Sequence, residues 1–223
     1  MLINQPAFEQ LKSELASTGT TLIAVSKTKP VEAIQELYDL GQRDFGENYV
    51  QELVEKQPLL PEDIRWHFIG HLQSNKVKYI APFVYLIHGV DSLKLLKEIN
   101  KQAAKLNRTI RVLLQVHIAT EETKFGMDES ELAAVFLEQD LNHVQIGGLM
   151  GMASFTDDLE KVRQEFTTLA KLAETYRDHF KESPAILSMG MSGDYKIAVE
   201  CGSTMIRIGS MLFGARNYPQ NTQ

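Results

Sequence analysis

Cysteine is almost missing from this 223-residue chain, which contains only Cys201. An internal disulfide is therefore excluded, and a reducing compartment is expected. No stretch approaches the roughly 18 consecutive apolar residues that a membrane-spanning helix needs. Residues 1–6 lack the basic segment and the apolar core of a secretion signal. These absences predict a cytoplasmic protein that has no membrane partner.

An excess of basic residues is also missing, because the formal net charge is -6 at pH 7 and the pI is about 5.6. Such a balance gives no general attraction to nucleic acid, so no nucleic-acid partner is expected. The lysines at positions 76, 78, 94 and 97 are interpreted as solvated helix faces. The chain is 43% hydrophobic and 23% charged, which is typical of a soluble globular protein with a sizeable core.

Several familiar site motifs are absent as well. The sequence has neither a Walker loop nor a Gly-x-Gly-x-x-Gly turn. His67 and His71 are four residues apart, but they straddle a predicted strand end without the glutamate of a helical zinc motif, so no metal site is predicted. No histidine or base motif accompanies Cys201, which we interpret as a packed thiol rather than a nucleophile.

Strand and helix patterns alternate along the whole chain. Strands are predicted at 22–25, 44–46, 66–69, 83–90, 111–118, 144–150, 185–189 and 205–208. Helices are predicted at 5–18, 30–40, 47–56, 73–80, 92–106, 129–139, 159–180 and 194–201, so that every strand but the last is followed by a helix. Eight such repeats without a linker predict an α/β fold, a single (β/α)8 TIM-type barrel over 1–223. An open doubly wound sheet is the alternative.

Lys27 lies at the predicted end of the first strand, just before Pro30 can start a helix. In parallel α/β folds that edge is where ligands bind, and a lysine surrounded by other strand ends can lose solvation. Its amine would then have a lowered pKa and could form a Schiff base with a carbonyl. A solvated surface lysine is the other interpretation.

Two turns after the last two strands have the composition of anion sites. Ser192 follows the seventh strand and is expected to cap the next helix, whose free N–H groups favour an anion. Gly209 and Ser210 follow the eighth strand, where a residue without Cβ lets the backbone approach a phosphate. A helix cap and an ordinary strand-end glycine would also explain these residues.

Arg207 has an unusual position within the eighth strand. Alternation places it on the same face as Met205 and Gly209, opposite two isoleucines, so its guanidinium lies in or near the core and needs a partner. A structural salt bridge would satisfy that need. In a barrel, Arg207 would lie beneath the phosphate turns and across the opening from Lys27.

Nine segments, in this order, resemble the pyridoxal phosphate homeostasis protein family. They are AVSKTKP (24–30), FGENYVQE (45–52), WHFIG (66–70), LQSNK (72–76), KFG (124–126), GLM (148–150), LSMGMS (187–192), GSTMIRIG (202–209) and FGAR (213–216). The family's fold is similar to the alanine racemase N-terminal barrel. Its members bind pyridoxal 5'-phosphate (PLP) and manage its supply rather than turn over a substrate.

The resemblance implies a role for particular residues. Lys27 becomes the Schiff-base lysine, with Lys29 as a competitor, and Arg207 faces the pyridine nitrogen. The implied phosphate ligands are Ser192, Gly209 and Ser210, and weaker candidates near the ring or phosphate are Asn48, Ser203, Thr204 and, packing on the ring, Met150. His71 stands where many relatives are expected to have proline, a departure that concerns only the local loop.

The function that the resemblance implies is a non-catalytic PLP carrier, with PLP, free amines or amino acids and apo PLP enzymes as partners. A monomer is expected, because a closed barrel leaves no obligatory interface. An arginine facing the pyridine nitrogen disfavours its protonation and so weakens carbanion stabilisation. A base on the face opposite the lysine is not evident. Two alternatives stay open: a PLP-dependent amino-acid racemase or lyase, and a Schiff-base aldolase acting on a sugar phosphate.

Overall fold

Eight parallel strands form a closed barrel in the computed structural model, which describes residues 2–119 and 125–214. Each strand pairs with the next in sequence, and the eighth pairs with the first. The predicted (β/α)8 barrel is confirmed, and the open sheet considered as an alternative is wrong. Lys124 and residues 215–216, which belong to the family-like segments, lie outside the described residues, so one domain over 1–223 stays a prediction.

The strands begin and end close to the predicted positions. They are β1 (Thr21–Val25), β2 (Asp44–Glu47), β3 (Arg65–Phe68), β4 (Leu86–Val90), β5 (Ile110–Gln115), β6 (Val144–Met150), β7 (Ile186–Ser188) and β8 (Met205–Ile208). β4 starts three residues later than predicted, because the amide groups of Phe83 and Val84 still bond to Ile80 in the preceding turn. β5 ends earlier than predicted, at Gln115; the next residue, Val116, donates its amide hydrogen to the Met150 carbonyl and forms an isolated bridge with Met127.

Helices occupy the connections between the strands, and one further helix precedes the first strand and another follows the last. They are α1 (Gln5–Ala16), α2 (Val31–Asp39), α3 (Val50–Lys56), α4 (Val77–Ile80), α5 (Leu93–Lys105), α6 (Glu129–Phe136), α7 (Leu159–Thr175), α8 (Tyr195–Glu200) and α9 (Ser210–Phe213). The long helix predicted to reach residue 180 ends at Thr175 and continues as a 3-10 turn at Arg177–His179. The prediction that no helix follows the last strand was wrong, because α9 begins directly after Gly209.

Side-chain caps explain where several helices start. The Ser92 hydroxyl accepts the amide hydrogen of Leu95 at the start of α5, and Asp128 and Glu131 form a reciprocal capping box at α6. Capping satisfies amide groups that have no partner inside the helix. None of the helices in the described part of the chain is long and apolar enough to cross a membrane.

Strand alternation sorts the side chains into two layers. The outer layer packs between barrel and helices and includes Phe45, Phe68 and Ile206. The inner layer has a small apolar cluster of Ile23, Leu86, Leu113, Met150 and Met205. Polar side chains fill much of the remaining interior, and the inward position of Arg207 agrees with the alternation in its strand.

Candidate functional site

Lys27 lies at the carboxyl-terminal rim of the barrel, two residues beyond the end of β1, and is half-buried. The Ser26 amide donates to the carbonyl of Gly46 at 3.0 Å, which extends the pairing of β1 with β2 to the residue before the lysine. The lysine therefore leaves the sheet from a fixed backbone position at the end where barrel ligands bind.

A buried ionic cluster holds the residue before Lys27. The Ser26 hydroxyl donates to Glu47 Oε1 at 2.6 Å, and Lys56 Nζ donates both to that oxygen and to the carbonyl of Ser26, each at 2.8 Å. Burial raises the pKa of Glu47, although the nearby positive charge of Lys56 acts to lower it. The ammonium of Lys56 is therefore what keeps a carboxylate stable behind the Schiff-base candidate.

The same cluster reaches the residue after Lys27. Thr28 has a positive φ of 62°, and its amide donates to Glu52 Oε1 at 2.6 Å. Lys56 Nζ donates to that same oxygen at 2.6 Å. The backbone on both sides of Lys27 is thus held by the cluster of Glu47, Lys56 and Glu52.

Lys29, the candidate competitor, is turned towards a different element. Its Nζ donates to the carbonyl of Phe213 at 2.8 Å and to that of Gly214 at 3.3 Å. A cation at these carbonyls satisfies orphan acceptors at the end of α9 and suits the helix dipole. This arrangement ties the Lys27 loop to the segment that follows β8.

The turn after β8 lies beside the Lys27 loop. Ile23 pairs with Arg207, and the next residues along each strand continue the pairing towards the rim. A Cβ placed on Gly209 would lie 3.2 Å from the carbonyl oxygen of Val25, so a side chain there would crowd β1. Ser210 follows as the first residue of α9. The turn with the predicted phosphate ligands is therefore adjacent to the end of β1, from which the Lys27 loop begins.

Ser192 lies in the β7–α8 connection on the same rim, but it does not cap the helix as predicted. The cap position belongs to Asp194, because α8 begins at Tyr195, two residues later than a Ser192 cap requires. The Asp194 carboxylate accepts the amide hydrogen of Met191 at 2.6 Å, and this bond closes the turn that contains Ser192. Ser192 itself is half-buried.

Asn48 and Met150 flank the rim from other strands. Asn48 follows β2, and its Oδ1 is buried without a hydrogen-bond partner among the described residues, as is Glu47 Oε2. Gly70 permits this position, since a Cβ there would lie 2.3 Å from the Asn48 carbonyl oxygen. Met150 ends β6 and belongs to the inner apolar cluster. An unsatisfied buried acceptor at the rim is what a site awaiting a polar ligand would show.

Ser203 and Thr204 are not brought to this rim. They lie at the amino-terminal end of β8, and their hydroxyls bond to the backbone of the neighbouring β7 segment: Ser203 Oγ donates to Met189 O at 2.7 Å, and Thr204 Oγ1 accepts from the Leu187 amide at 2.9 Å. Thr204 and Gly209 are five residues apart, which is about 16 Å along a strand. The structure therefore does not bring these two residues together with Lys27 and the turn at Gly209, and their role as cofactor ligands stays a prediction.

Arg207 is buried inside the barrel and hydrogen-bonded to strand ends. Its Nη1 donates to the carbonyl and the hydroxyl of Ser188, each at 2.7 Å, and Nη2 donates to the Gly151 carbonyl at 3.3 Å. Burial lowers the pKa of Arg207 to about 10, so the guanidinium stays charged at neutral pH. Within residues 2–119 and 125–214 no carboxylate forms a salt bridge with it, so a buried positive charge lies below the rim.

Sequence patterns missed a polar chain that continues from Arg207 through the barrel. His88 Nδ1 lies 2.8 Å from Ser188 Oγ, His88 Nε2 lies 2.9 Å from His67 Nδ1, and His67 Nε2 lies 3.0 Å from Asp44 Oδ1. We call these five side chains, Asp44 to Arg207, the interior relay. The only sign of it in the sequence was that strand alternation places these polar residues at inward-facing positions.

The charge states along the relay follow from burial and pairing. Burial alone would raise the pKa of Asp44, but hydrogen bonds from Arg65 and His67 outweigh it and lower the pKa to about 2. Burial lowers the pKa of His67 against the pull of Asp44, and burial next to His67 and Arg207 lowers the pKa of His88 well below its usual value. At neutral pH the relay therefore has an ionised carboxylate and two neutral imidazoles.

These histidines predict acid sensitivity. The unfolded chain protonates them near a pKa of about 6.5, whereas the folded protein keeps them neutral, so the free energy of unfolding falls as the pH drops below that value. We expect a loss of about 1 to 3 kcal/mol between roughly pH 7.5 and 5.5 in urea unfolding. His88→Gln should flatten the slope, whereas exposed His179→Gln should not. Equal slopes for all three proteins would contradict this assignment.

Other candidate chemistry finds little support in the structure. No group of three or more histidine, cysteine or acidic side chains that could hold a metal ion occurs within residues 2–119 and 125–214. His71 pairs with Asp91 and stacks on Phe125 at 4.5 Å between ring centroids. Cys201 is half-buried, with its Sγ 3.8 Å from the Thr167 hydroxyl. Both residues have structural contacts away from the interior relay.

Comparison with known proteins identifies relatives of the whole barrel. The sequence model of the family described as alanine racemase, N-terminal domain, matches residues 7–217. A pyridoxal phosphate homeostasis protein from Vibrio alginolyticus is 41% identical, with 97% of this chain and 95% of the relative covered. The protein of that name from Homo sapiens is 39% identical, with 96% of this chain and 83% of the relative covered.

Solved structures agree with these matches. PipY from Synechococcus elongatus with PLP bound superposes with a TM-score of 0.85 at 38% identity, and the PLP-free form with a TM-score of 0.88 at 37% identity; each covers 94% of this chain and 99% of PipY. Alanine racemase from Bartonella henselae has a TM-score of 0.71 at 16% identity and covers 93% of this chain and 60% of the racemase, a similarity of fold alone.

The closed barrel and the match to the alanine racemase N-terminal domain define the class as an alanine racemase-type barrel protein. Within that class, this chain belongs to the pyridoxal phosphate homeostasis protein family. The resemblance that the nine sequence segments indicate is thereby confirmed.

Proposed function

We propose that this protein binds PLP for intracellular vitamin B6 homeostasis, holding it as a Schiff base on Lys27 without turning over a substrate. The observation that carries the proposal is the shared rim, where the anchored Lys27 loop adjoins the turn at Gly209 and Ser210 above a buried guanidinium. The PLP bound to PipY, a relative of similar sequence and fold, supports it.

The residues at the rim fit the chemical parts of PLP. Condensation of Lys27 Nζ with the aldehyde carbon forms a C=N bond and releases one water. Ser192, Gly209 and Ser210 would hold the phosphate, with Gly209 allowing a close approach of backbone. Asn48, whose buried Oδ1 has no hydrogen-bond partner in the described part of the chain, would bond to a polar group of the ligand, and the buried Met150 would pack on the ring.

The charge of Arg207 supports binding without turnover. When bound, PLP can supply an electron-withdrawing ring, and this ring is most effective when its nitrogen is protonated. A buried guanidinium that keeps its charge at neutral pH opposes protonation of a nitrogen placed against it. This chain would thus hold the aldehyde for exchange with amines and suppress chemistry at the α-carbon. We also propose that it acts as a monomer in the cytoplasm, exchanging PLP with free amines or amino acids and with apo PLP enzymes.

Binding at the rim predicts a difference between hydroxyls at the two ends of the barrel. Replacing Ser192 or Ser210 with alanine removes a donor to a charged phosphate, so the affinity for PLP should weaken by about tenfold. Replacing Thr204 with alanine should leave the affinity unchanged, since its hydroxyl lies at the opposite end. A PLP titration monitored by the visible absorption band measures both, and an equal effect at the two ends would refute the rim site.

Absence of turnover predicts that the PLP-loaded protein does not exchange α-protons of amino acids. Incubation with single amino acids in heavy water, monitored by NMR, should show no deuterium incorporation above that caused by free PLP. The matched control is Arg207→Glu, which puts an acidic partner at the nitrogen and should raise the exchange rate if the protein folds. Robust exchange by the wild-type protein would favour a racemase or lyase. Failure to form a coloured adduct with PLP would favour an aldolase instead.

A further inference from the structure

The interior relay spans the barrel from one end to the other. Arg207 lies below the carboxyl-terminal rim, while Asp44 begins β2 and meets Arg65 at an opening of the barrel's amino-terminal end. All five relay side chains are buried, and His67, His88 and Ser188 have no exposed surface. The proposed binding of PLP uses only the Arg207 end, so the remaining four residues have no role assigned to them.

The two ends of the relay fix the direction of its hydrogen bonds. Arginine has donors and no acceptor, so Ser188 Oγ must accept from Arg207 Nη1. At the other end the ionised carboxylate of Asp44 is an acceptor only, so His67 Nε2 must donate to it. Arg65 also donates to the Asp44 carboxylate, and because arginine has no acceptor it cannot change the direction of the bond from His67.

With both ends fixed, only one arrangement of protons satisfies the middle. Because neutral His67 has its hydrogen on Nε2, its Nδ1 accepts from His88 Nε2. His88 Nδ1 then accepts the hydroxyl hydrogen of Ser188, which completes the serine's bonds to both neighbours. Every donor in the chain points from Arg207 towards Asp44, and such aligned bonds strengthen one another in a low-dielectric interior.

We propose that Asp44, His67, His88 and Ser188 are positioning residues that hold Arg207 where it meets the ring nitrogen of PLP. This inference rests on the proposed function. The carboxylate at the amino-terminal end selects the tautomers of both rings. The rings turn the Ser188 hydrogen away from Arg207, which keeps an oxygen lone pair available to the guanidinium. A substitution of Asp44 should therefore alter the orientation of Arg207, and with it the affinity for PLP at the other end of the barrel.

Packing alone does not explain why polar side chains form the interior relay. The interior around the relay holds apolar side chains such as Ile23 and Leu113, and apolar residues of similar volume fill a core at least as stably as a buried polar network does. A polar network is useful where one orientation of a group must be specified. The group specified here is Arg207, whose other recorded side-chain bonds are all to backbone carbonyls.

The test compares two substitutions at the amino-terminal end. Asp44→Asn and Arg65→Gln both remove the salt bridge between these residues, but only Asp44→Asn changes the acceptor on which the relay ends. Imidazole 15N NMR of the ligand-free proteins should show one protonated nitrogen, Nε2, on His67 and His88 in the wild type and in Arg65→Gln. Asp44→Asn should show a mixture of tautomers, because an amide can accept from or donate to His67.

PLP titrations of the same proteins provide the second readout. We expect Asp44→Asn to weaken the affinity for PLP about fivefold and Ser188→Ala about tenfold, with Arg65→Gln within about twofold of wild type. In a protein that already has Ser188→Ala, which interrupts the interior relay, adding Asp44→Asn should cause no further loss of affinity for PLP. Ser188→Ala keeps the backbone carbonyl that Arg207 also uses, so it serves as the second variant if Asp44→Asn does not fold.

The outcomes separate this proposal from the one it rests on. A wild-type protein that fails to bind PLP overturns the proposed function and with it the role of Arg207. A wild-type protein that binds PLP but has mixed tautomers overturns the relay alone. So does an Asp44→Asn effect on affinity that is the same size with and without Ser188→Ala.

Discussion

Lys27→Ala should abolish the visible absorption band that forms when PLP is added to the protein. The Schiff base needs an amine at the rim, and the neighbouring Lys29 already donates to two carbonyls at the end of α9. Without the covalent bond, only phosphate and ring contacts remain, and we expect the apparent affinity to fall by about a hundredfold, or roughly 2.8 kcal/mol. Absorption spectra and equilibrium dialysis measure the two effects.

Lys29→Ala is the matched control for this experiment. It removes a lysine two residues away, and it should leave the PLP band and the affinity near wild-type values. Its expected effect is a small loss of stability, of about 0.5 to 1.5 kcal/mol, because hydrogen bonds at the end of α9 disappear. Loss of the band in Lys29→Ala, with retention in Lys27→Ala, would reverse the assignment of the two lysines.

Lys56→Met should cause the largest loss of stability among single substitutions around the site. The ammonium of Lys56 compensates the buried carboxylate of Glu47, and removing one partner of a buried pair costs about 3 to 5 kcal/mol. The backbone carbonyl of Ser26 also loses its donor, so the loop that carries Lys27 loosens. Urea unfolding measures the first effect, and the rate at which PLP attaches to Lys27 measures the second.

Two controls separate charge imbalance from lost packing. Glu52→Gln touches the exposed side of the same cluster and should cost under about 1 kcal/mol. Combining Lys56→Met with Glu47→Gln removes both buried charges, so the double variant should recover much of the stability that Lys56→Met loses. If the double variant is as unstable as the sum of the single ones, the ion pair does not explain the effect.

Local patterns were sufficient to predict the barrel and the positions of Lys27 and Arg207 within it. Apolar runs separated by helical spacing located seven strands, the βα alternation suggested the short one at 44–46, and the alternation Met205–Arg207–Gly209 correctly placed the guanidinium inside. The position of Lys27 just after a strand was enough to place it on the rim, because parallel strands of a barrel all end on the same side.

Contacts between distant segments could not be predicted in the same way. The bond between His88 and Ser188 joins residues 100 positions apart, and it depends on barrel closure and strand register, which no local pattern specifies. The ion pair of Lys56 with Glu47 likewise needs α3 to fold back over β2. Ser203 and Thr204 were placed with Gly209 because they share one sequence segment, but β8 separates them along its length.

The most direct test of the central claim, that Lys27 holds PLP on the rim beside the phosphate turns, is borohydride reduction of the PLP-loaded wild-type protein followed by mass-spectrometric mapping of the modified peptide. The account predicts a single pyridoxyl group on Lys27. Modification of Lys29, of lysines scattered over the surface, or of no lysine would contradict it.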